Sequence, residues 1–396
     1  MKKLNSALLA IILSFLLVPA VNANANTLNE VKFYVGNYYY GTVPKNLATM
    51  KNIQEITNAL DAYSIYMTKI EYELFKAILG TEASADAPIA ISGTPLAAPT
   101  PSHVSSDMLY GNTGYMKITT FPTNLGNSVE QHWRKLQQQG ATSLIIDLRD
   151  NGGGFVESAE QLTGFFQGAP NAYYVMRRMG SEMVPVIPAN SRFPKDTYLL
   201  VNRKSASASE MVAIAVKDQK VATLVGETTR GKGTIQSIFE LNDGGALKMT
   251  TAQFTGPSGT IVNQIGIQPH IEAPNGMELN AAHRRIMENT LAKQAITKIA
   301  SPTSIRPTEP IQLQLPHKMN LQGPYASHKV EVVKLASRTT IPVAVEYGED
   351  NQMLTLKPKQ QLEAGSEYLV IIEPTLKRLN GKIVKTGIYT TITVKK

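Results

Sequence analysis

Residues 201–210 read Val201-Asn202-Arg203-Lys204-Ser205-Ala206-Ser207-Ala208-Ser209-Glu210, and residues 226–236 read Gly226-Glu227-Thr228-Thr229-Arg230-Gly231-Lys232-Gly233-Thr234-Ile235-Gln236. Tyr198 to Val201 is a short apolar run suited to a strand, and Met211 to Val216 reads as the body of a helix. Strand, small polar turn and helix follow one another without a gap. A serine hydroxyl is a weak nucleophile that needs a base within hydrogen-bond reach. Lysine serves as that base when burial favours its neutral amine. Lys232 stands between two glycines, where backbone can pack closely, and Glu227 is its near acidic neighbour in sequence.

Working outward, a second strand end has the same form. Ser143 to Leu148 is apolar and suits a strand buried on both faces. Asp147-Leu148-Arg149-Asp150-Asn151-Gly152-Gly153-Gly154 follows, then a helix from about Val156 to Phe166. Gly114 to Phe121 is a further strand, and Val129 to Gln139 is a helix ended by Gly140. Repeated strand–turn–helix units predict parallel strands, whose ligand sites lie beyond the carboxyl ends. Ser207 sits at one such end and opens a helix. The Ala208 N–H is therefore a candidate oxyanion donor, with Gly153 as the second. Gln236 is placed to orient the lysine amine through its side-chain oxygen. From Ile235 to Val262 the pattern becomes β, with turns at Asn242-Asp243-Gly244-Gly245 and Pro257-Ser258-Gly259.

Each piece also has a plain structural reading. Ser-Ala-Ser-Ala-Ser is equally a capping stretch, Gly-Lys-Gly a turn, and the triple glycine lacks the Lys-Ser or Lys-Thr of a phosphate loop. Together they resemble the S41 peptidases, the C-terminal processing or tail-specific protease family. The pieces are Gly114-Tyr115-Met116-Lys117-Ile118, Ile146 to Gly154, Leu200 to Glu210, Gly226 to Gly233 and Gly266-Ile267-Gln268-Pro269, in family order. Leu60-Asp61-Ala62-Tyr63-Ser64 to Tyr66 resembles the family's N-terminal motif. The resemblance covers about residues 50 to 275. It implies a Ser-Lys dyad of Ser207 and Lys232 supported by Gln236, oxyanion donors at Gly153 and Ala208, and an α/β, crotonase-like core. There are departures. The Ala/Pro-rich stretch 83–106 stands where the family usually carries a PDZ domain, and is too short for one. Gly152 stands where Pro is common, and His270 where Asp is usual.

The implied organisation is a signal peptide over 1–25, a helical segment over 26–82, the linker 83–106, the peptidase core over 107–298, a second linker over 299–309 and a β-sandwich over 310–396. Within 26–82, Leu60 to Thr68 reads as a turn. Lys69 to Leu79 reads as an amphipathic helix with Ile70, Leu74, Ala77 and Ile78 on one face. The last region resembles the Ig-like domains of bacterial surface-layer proteins, in Leu362 to Tyr368 and Leu379-Asn380-Gly381-Lys382. Lys2 and Lys3, an apolar run from Ala7 and Ala23-Asn24-Ala25 make the first segment a secretory signal and the protein secreted or in the cell envelope.

The 396 residues carry a net charge of +8, of which +5 falls in 301–396 and +1 in 26–300. The basic excess points to an anionic envelope surface as a partner, or to simple solubility, and not to nucleic acid. No cysteine is present, which excludes thiolate nucleophiles, disulfides and cysteine-ligated metals. The six histidines have no ligand spacing, so no metal or other cofactor is expected. The expected activity is endopeptidase cleavage of unfolded or flexible polypeptide. The alternatives are a non-catalytic binding protein on the same fold and a Ser-His-Glu relative using His103 or His132.

Overall fold

A computed structural model describes residues 25–78, 103–300, 304–320, 330–349, 352–373, 377–378 and 386–396. The signal peptide, most of the 83–106 stretch and Leu379 to Lys382 lie outside the described residues. In chain order the structure begins with α1 (Ala25–Tyr38), α2 (Ile53–Asn58), β1 (Ile65–Met67) and α3 (Lys69–Ile78). Then come β2 (Val104–Leu109), β3 (Thr113–Ile118), α4 (Leu125–Gln138), β4 (Ser143–Asp147), α5 (Val156–Thr163), β5 (Asn171–Arg177) and β6 (Gly180–Pro185). β7 (Thr197–Val201), α6 (Ala208–Asp218), β8 (Thr223–Gly226), β9 (Thr234–Glu240), β10 (Ala246–Thr255), β11 (Ile271–Glu272) and α7 (Glu278–Lys293) complete the central part.

Six strands form one sheet in the order β11-β8-β7-β4-β3-β2. All its pairings are parallel except β2 with β3. β4 and β7 are buried along their whole length, as continuous apolar runs in a sheet covered on both faces must be. One face packs Leu144, Ile146, Leu199, Val201 and Leu224 against α4, α5 and α6. The other packs Ile145, Leu200 and Val225 against Ala282 and Ile286 of α7. The carboxyl ends of β4 and β7 thus deliver the triple-glycine turn and the serine turn to one edge.

The second sheet runs β1-β10-β5-β6, with β9 paired to β10. Its strands alternate by face, as the pleat requires. Leu247 and Met249 of β10 pack with Val31, Val35 and Ile56 of the N-terminal helices. Ala246, Lys248 and Thr250 point the other way.

Three expectations are corrected. The stretch Leu60 to Thr68 is not only a turn, because Ile65–Met67 pairs with β10 and buries Met67. α3 forms as expected, but Ile70 and Leu74 are 82% and 56% exposed. The helix instead turns Tyr72 and Phe75, with more area to bury, onto Met67 and Ala246. The linkers are shorter than the composition indicated. Val104 is buried and opposite Ile118, and Ile305 bridges to Val394, while Thr297–Lys298, counted with the core in the sequence, pairs with Ile388–Thr393.

Beyond α7, strands Val330–Lys334, Glu367–Ile372 and Ile388–Thr393 make one sheet with Thr297–Lys298, and Ile311–Gln314, Val343–Tyr347 and Met353–Pro358 make a second. Side chains from both, such as Val332, Tyr368, Leu313 and Leu356, share a single apolar cluster. This part is held tightly to the centre. Met287, Leu291 and Ile296 pack on Val333, Leu369 and Ile371. His283 of α7 is buried and bonded at both ring nitrogens. Nδ1 receives the Ala336 N–H at 3.0 Å, and Nε2, which then carries the proton, donates to the Tyr110 carbonyl at 2.9 Å.

Candidate active site

The two strand-end turns are laced together. Asn202 Oδ1 accepts the Asp150 N–H at 3.0 Å, and Asn202 Nδ2 donates to Asp150 Oδ1 at 3.1 Å. Ser205 Oγ donates to the Leu148 carbonyl at 2.8 Å and accepts the Asn202 N–H. Ser209 Oγ donates to the Asn151 carbonyl at 3.0 Å. The outer two hydroxyls of the serine run are therefore committed to backbone, and both residues are fully buried.

Ser207 differs from both. It is partly exposed, precedes α6, and holds φ at +57° with ψ at −116°. A non-glycine residue there stores about 1–3 kcal/mol of strain, which surrounding contacts must maintain. Gly153 provides one of those contacts. Its φ is +101°, and a Cβ at that position would lie 2.8 Å from the Ala206 oxygen and 2.9 Å from both Ala208 N and Ser207 Cβ. Only glycine fits so close an approach at that φ. The expected donors Gly153 and Ala208 are thus neighbours, but their N–H groups are not equally available. Ala208 opens α6, and its N–H has no hydrogen-bond partner among the described residues, whereas those of Ser209 and Glu210 bond to Ala206 and Ser207. The Gly153 N–H is given to Asn151 Oδ1 at 2.8 Å.

Lys232 lies in the loop that enters β9. Its glycine neighbours are required by packing: a Cβ on Gly231 would lie 2.9 Å from Gly266 N, and one on Gly233 would lie 2.5 Å from Asn263 N. Burial, with Lys248 and Arg230 adding like charge nearby, lowers the Lys232 amine to about 8. Its Nζ sits 4.9 Å from the centroid of the Tyr63 ring and makes no hydrogen bond to Ser207 among the described residues. Glu227 pairs with Arg203 at 3.1 Å and leaves the lysine alone. Gln236 is anchored by Nε2, which donates to Thr234 Oγ1 at 3.0 Å and Thr250 Oγ1 at 3.2 Å. Its Oε1 accepts no hydrogen bond among the described residues.

Sequence reading assigned no role to Glu210. The residue is fully buried. Oε2 accepts the Ser207 N–H at 3.0 Å and the Lys232 N–H at 2.8 Å, while Oε1 accepts the Gly231 N–H and the Thr229 hydroxyl, both at 2.6 Å. Four donors satisfy one buried carboxylate, as such a charge demands. Its position three residues after Ser207 was the available signal, since an acidic residue there reaches back to the cap N–H.

His270 answers one departure from the family pattern. Nδ1 accepts the Leu224 N–H at 2.9 Å, a bond that a carboxylate could equally receive. Burial and Lys217 hold the imidazole below its ordinary value, favouring the neutral ring this bond requires. His132 is bonded to Ser106 Oγ at 2.7 Å, and neither it nor His103 makes a hydrogen bond to Ser207 among the described residues. Gly152 has open space where a side chain would go.

A strained serine at a helix start, a half-buried lysine and a shared buried carboxylate thus meet at one edge of the α/β core. Residues 112–273 match Peptidase family S41, and the chain is similar to that family through this region. It is 36% identical over 186 residues to carboxyl-terminal-processing peptidase 3, chloroplastic, of Arabidopsis thaliana, covering 46% of this chain and 36% of that protein. It is 34% identical over 171 residues to the carboxy-terminal processing protease CtpA of Bacillus subtilis (strain 168), covering 43% of this chain and 37% of the relative. The chain thus spans little more than a third of the length of these two curated relatives. A solved lipoprotein from Streptococcus agalactiae superposes with a TM-score of 0.51 over 69% of this chain and 98% of its own, at 16% identity, a likeness of fold alone.

Proposed function

We propose that the protein is a serine endopeptidase that hydrolyses peptide bonds in unfolded or flexible polypeptides. Ser207 Oγ attacks the carbonyl carbon while the neutral Lys232 amine takes its proton. The oxyanion forms against the Ala208 N–H, joined by that of Gly153 once Asn151 releases it. The C–N bond breaks as the Lys232 ammonium returns the proton to the leaving amine. Water then attacks the acyl ester, with Lys232 again as base, and Gln236 orients the amine. The observation that carries this reading is the lysine lowered to about 8 in a loop tied through Glu210 to the Ser207 turn.

On this reading, residues 107–298, with β2 added at their start, form a crotonase-like core behind the N-terminal segment 26–82. Residues 310–396 are an Ig-like β-sandwich, an accessory module whose basic charge suits an anionic envelope surface. Secretion rests on the basic, apolar and Ala23-Asn24-Ala25 pattern of residues 1–25.

The unclosed Ser207–Lys232 pair and the occupied Gly153 N–H favour one second reading, a non-catalytic polypeptide-binding protein. Casein hydrolysis by the wild type, Ser207→Ala and Lys232→Ala separates the two. Cleavage lost in both variants supports the peptidase. Absence of cleavage and of Ser207 labelling by a fluorophosphonate, with all three chains folded, rejects it.

A further inference from the structure

The face of β10 that carries Lys248 is also the face nearest the candidate base. Ile65, Lys248 and Ile238 form one rung across β1, β10 and β9, and Thr250 and Gln236 form the next same-face rung. Side chains paired in this way project to the same side. Gln236 is therefore a diagonal neighbour of Lys248, and the two ammonium groups of Lys248 and Lys232 lie close enough to repel.

The surroundings of Lys248 are unusual for a cation. Its Nζ lies 5.7 Å from the centroid of the Phe75 ring on α3. Ile65 and Ile238 flank it, and both are partly open to solvent. Burial alone pushes its amine below the ordinary lysine value. Among the described residues the ammonium has no ion pair and no hydrogen bond. The buried carboxylates nearby have charged or hydrogen-bonding partners, Glu210 through four donors and Asp147 and Glu278 through Arg149, whereas Lys248 shares with Lys232 the lack of a counter-ion among the described residues. A half-buried ammonium without a counter-ion is costly to fold around. Bringing a carboxylate to it recovers that cost at the moment of binding. The partial burial of Lys248 beside the Phe75 ring lowers the local dielectric and strengthens such a pairing.

We infer that Lys248 is a specificity-determining position that binds a carboxylate of the polypeptide substrate on the face of β10 beside Lys232. This rests on the peptidase reading of the same site and adds a substrate class: segments that place an anionic group a few residues from the cleaved bond. The carboxylate is either the chain's own C-terminus or an Asp or Glu side chain.

The test uses the full-length Ser207→Ala chain, so that binding is read without turnover, with and without Lys248→Met. The probes are fluorescein-labelled decapeptides of Ala, Leu and Gly: one amidated, one with a free C-terminal carboxylate, and one amidated with a single internal Glu. Fluorescence anisotropy should show at least one carboxylate-bearing peptide bound about tenfold more tightly than the neutral one. That advantage should fall to about twofold or less in Lys248→Met, with the neutral peptide unaffected. Preference for the free terminus or for the internal Glu identifies the source. Equal affinities, absence of binding, or a preference retained in Lys248→Met overturns the proposal. Turnover by the Lys248→Met chain with Ser207 intact separates a tuning role. If that variant only shifts the pH limb and slows all peptides alike, Lys248 acts through Lys232 and the proposal falls. Fluorophosphonate labelling of Ser207 in the wild type reports the peptidase reading independently.

Discussion

A single oxygen, Glu210 Oε2, couples Ser207 to Lys232, accepting the backbone N–H of the first at 3.0 Å and of the second at 2.8 Å. The candidate nucleophile and base are thus fixed to one another through their main chains, while the lysine Nζ lies over the Tyr63 ring.

Replacing Glu210 with Gln tests this coupling. An amide can accept at one end only, and its NH2 meets N–H donors at the other. Loss of the charge-assisted bonds is expected to cost roughly 2–4 kcal/mol. Thermal or urea unfolding should show the loss, and hydrolysis should fall by at least about tenfold under conditions where the variant is folded.

As the proposed base, Lys232 should set the pH dependence of hydrolysis. An amine at about 8 leaves roughly one chain in ten with a neutral base at pH 7, against about one in several thousand for an ordinary lysine. The rate constant kcat/KM should therefore climb tenfold per unit up to about pH 8 and level off above it. A limb that keeps rising through pH 10 would show an unburied lysine.

Neighbouring glycines should respond in opposite directions. Gly153→Ala places a Cβ within 2.9 Å of the Ser207 turn at a φ of +101° and should destabilise by at least ~2 kcal/mol and abolish activity. Gly152→Ala meets open space and should stabilise by about 0.4–1 kcal/mol through the unfolded chain. Unfolding midpoints of the two variants read both.

His283 makes the seam between α7 and the C-terminal strands sensitive to acid. Its buried ring is held below the ordinary 6.5. The unfolded chain therefore binds the proton first, so stability is full above pH 6.5 and drops as the pH falls below it, by up to ~1.4 kcal/mol per unit. The decline in midpoint between pH 7 and pH 5.5 should be smaller in His283→Gln, whose amide has no charge to gain. An equal decline would assign the effect to His132 and His270.

The sequence could be read where structure is local. Gly153, Ser207 and Ala208 announce themselves because a glycine turn and a helix start are defined by a few consecutive residues. The parallel sheet follows from apolar runs such as Ser143 to Leu148. Less was legible where contacts are distant. The ring over Lys232 comes from Tyr63, the uncompensated charge beside it from Lys248, and no spacing relates them. Asn151 takes the Gly153 N–H through its side chain, a choice that local pattern leaves open. α3 misled because periodicity counted Ile70 and Leu74, whereas the surface offered by Met67 and Ala246 was filled by Tyr72 and Phe75.

β1 has a consequence for when the chain becomes active. The strand and the Tyr63 ring are made early, but β10, which seats them, is made long afterwards. Until both have met, the Tyr63 ring cannot lie over Lys232. On the proposed reading, a nascent or clipped chain that holds residues 112–273 without β1 should have a more basic Lys232 and slower hydrolysis, so that the late closure of a long-range strand pair would serve as a safety catch.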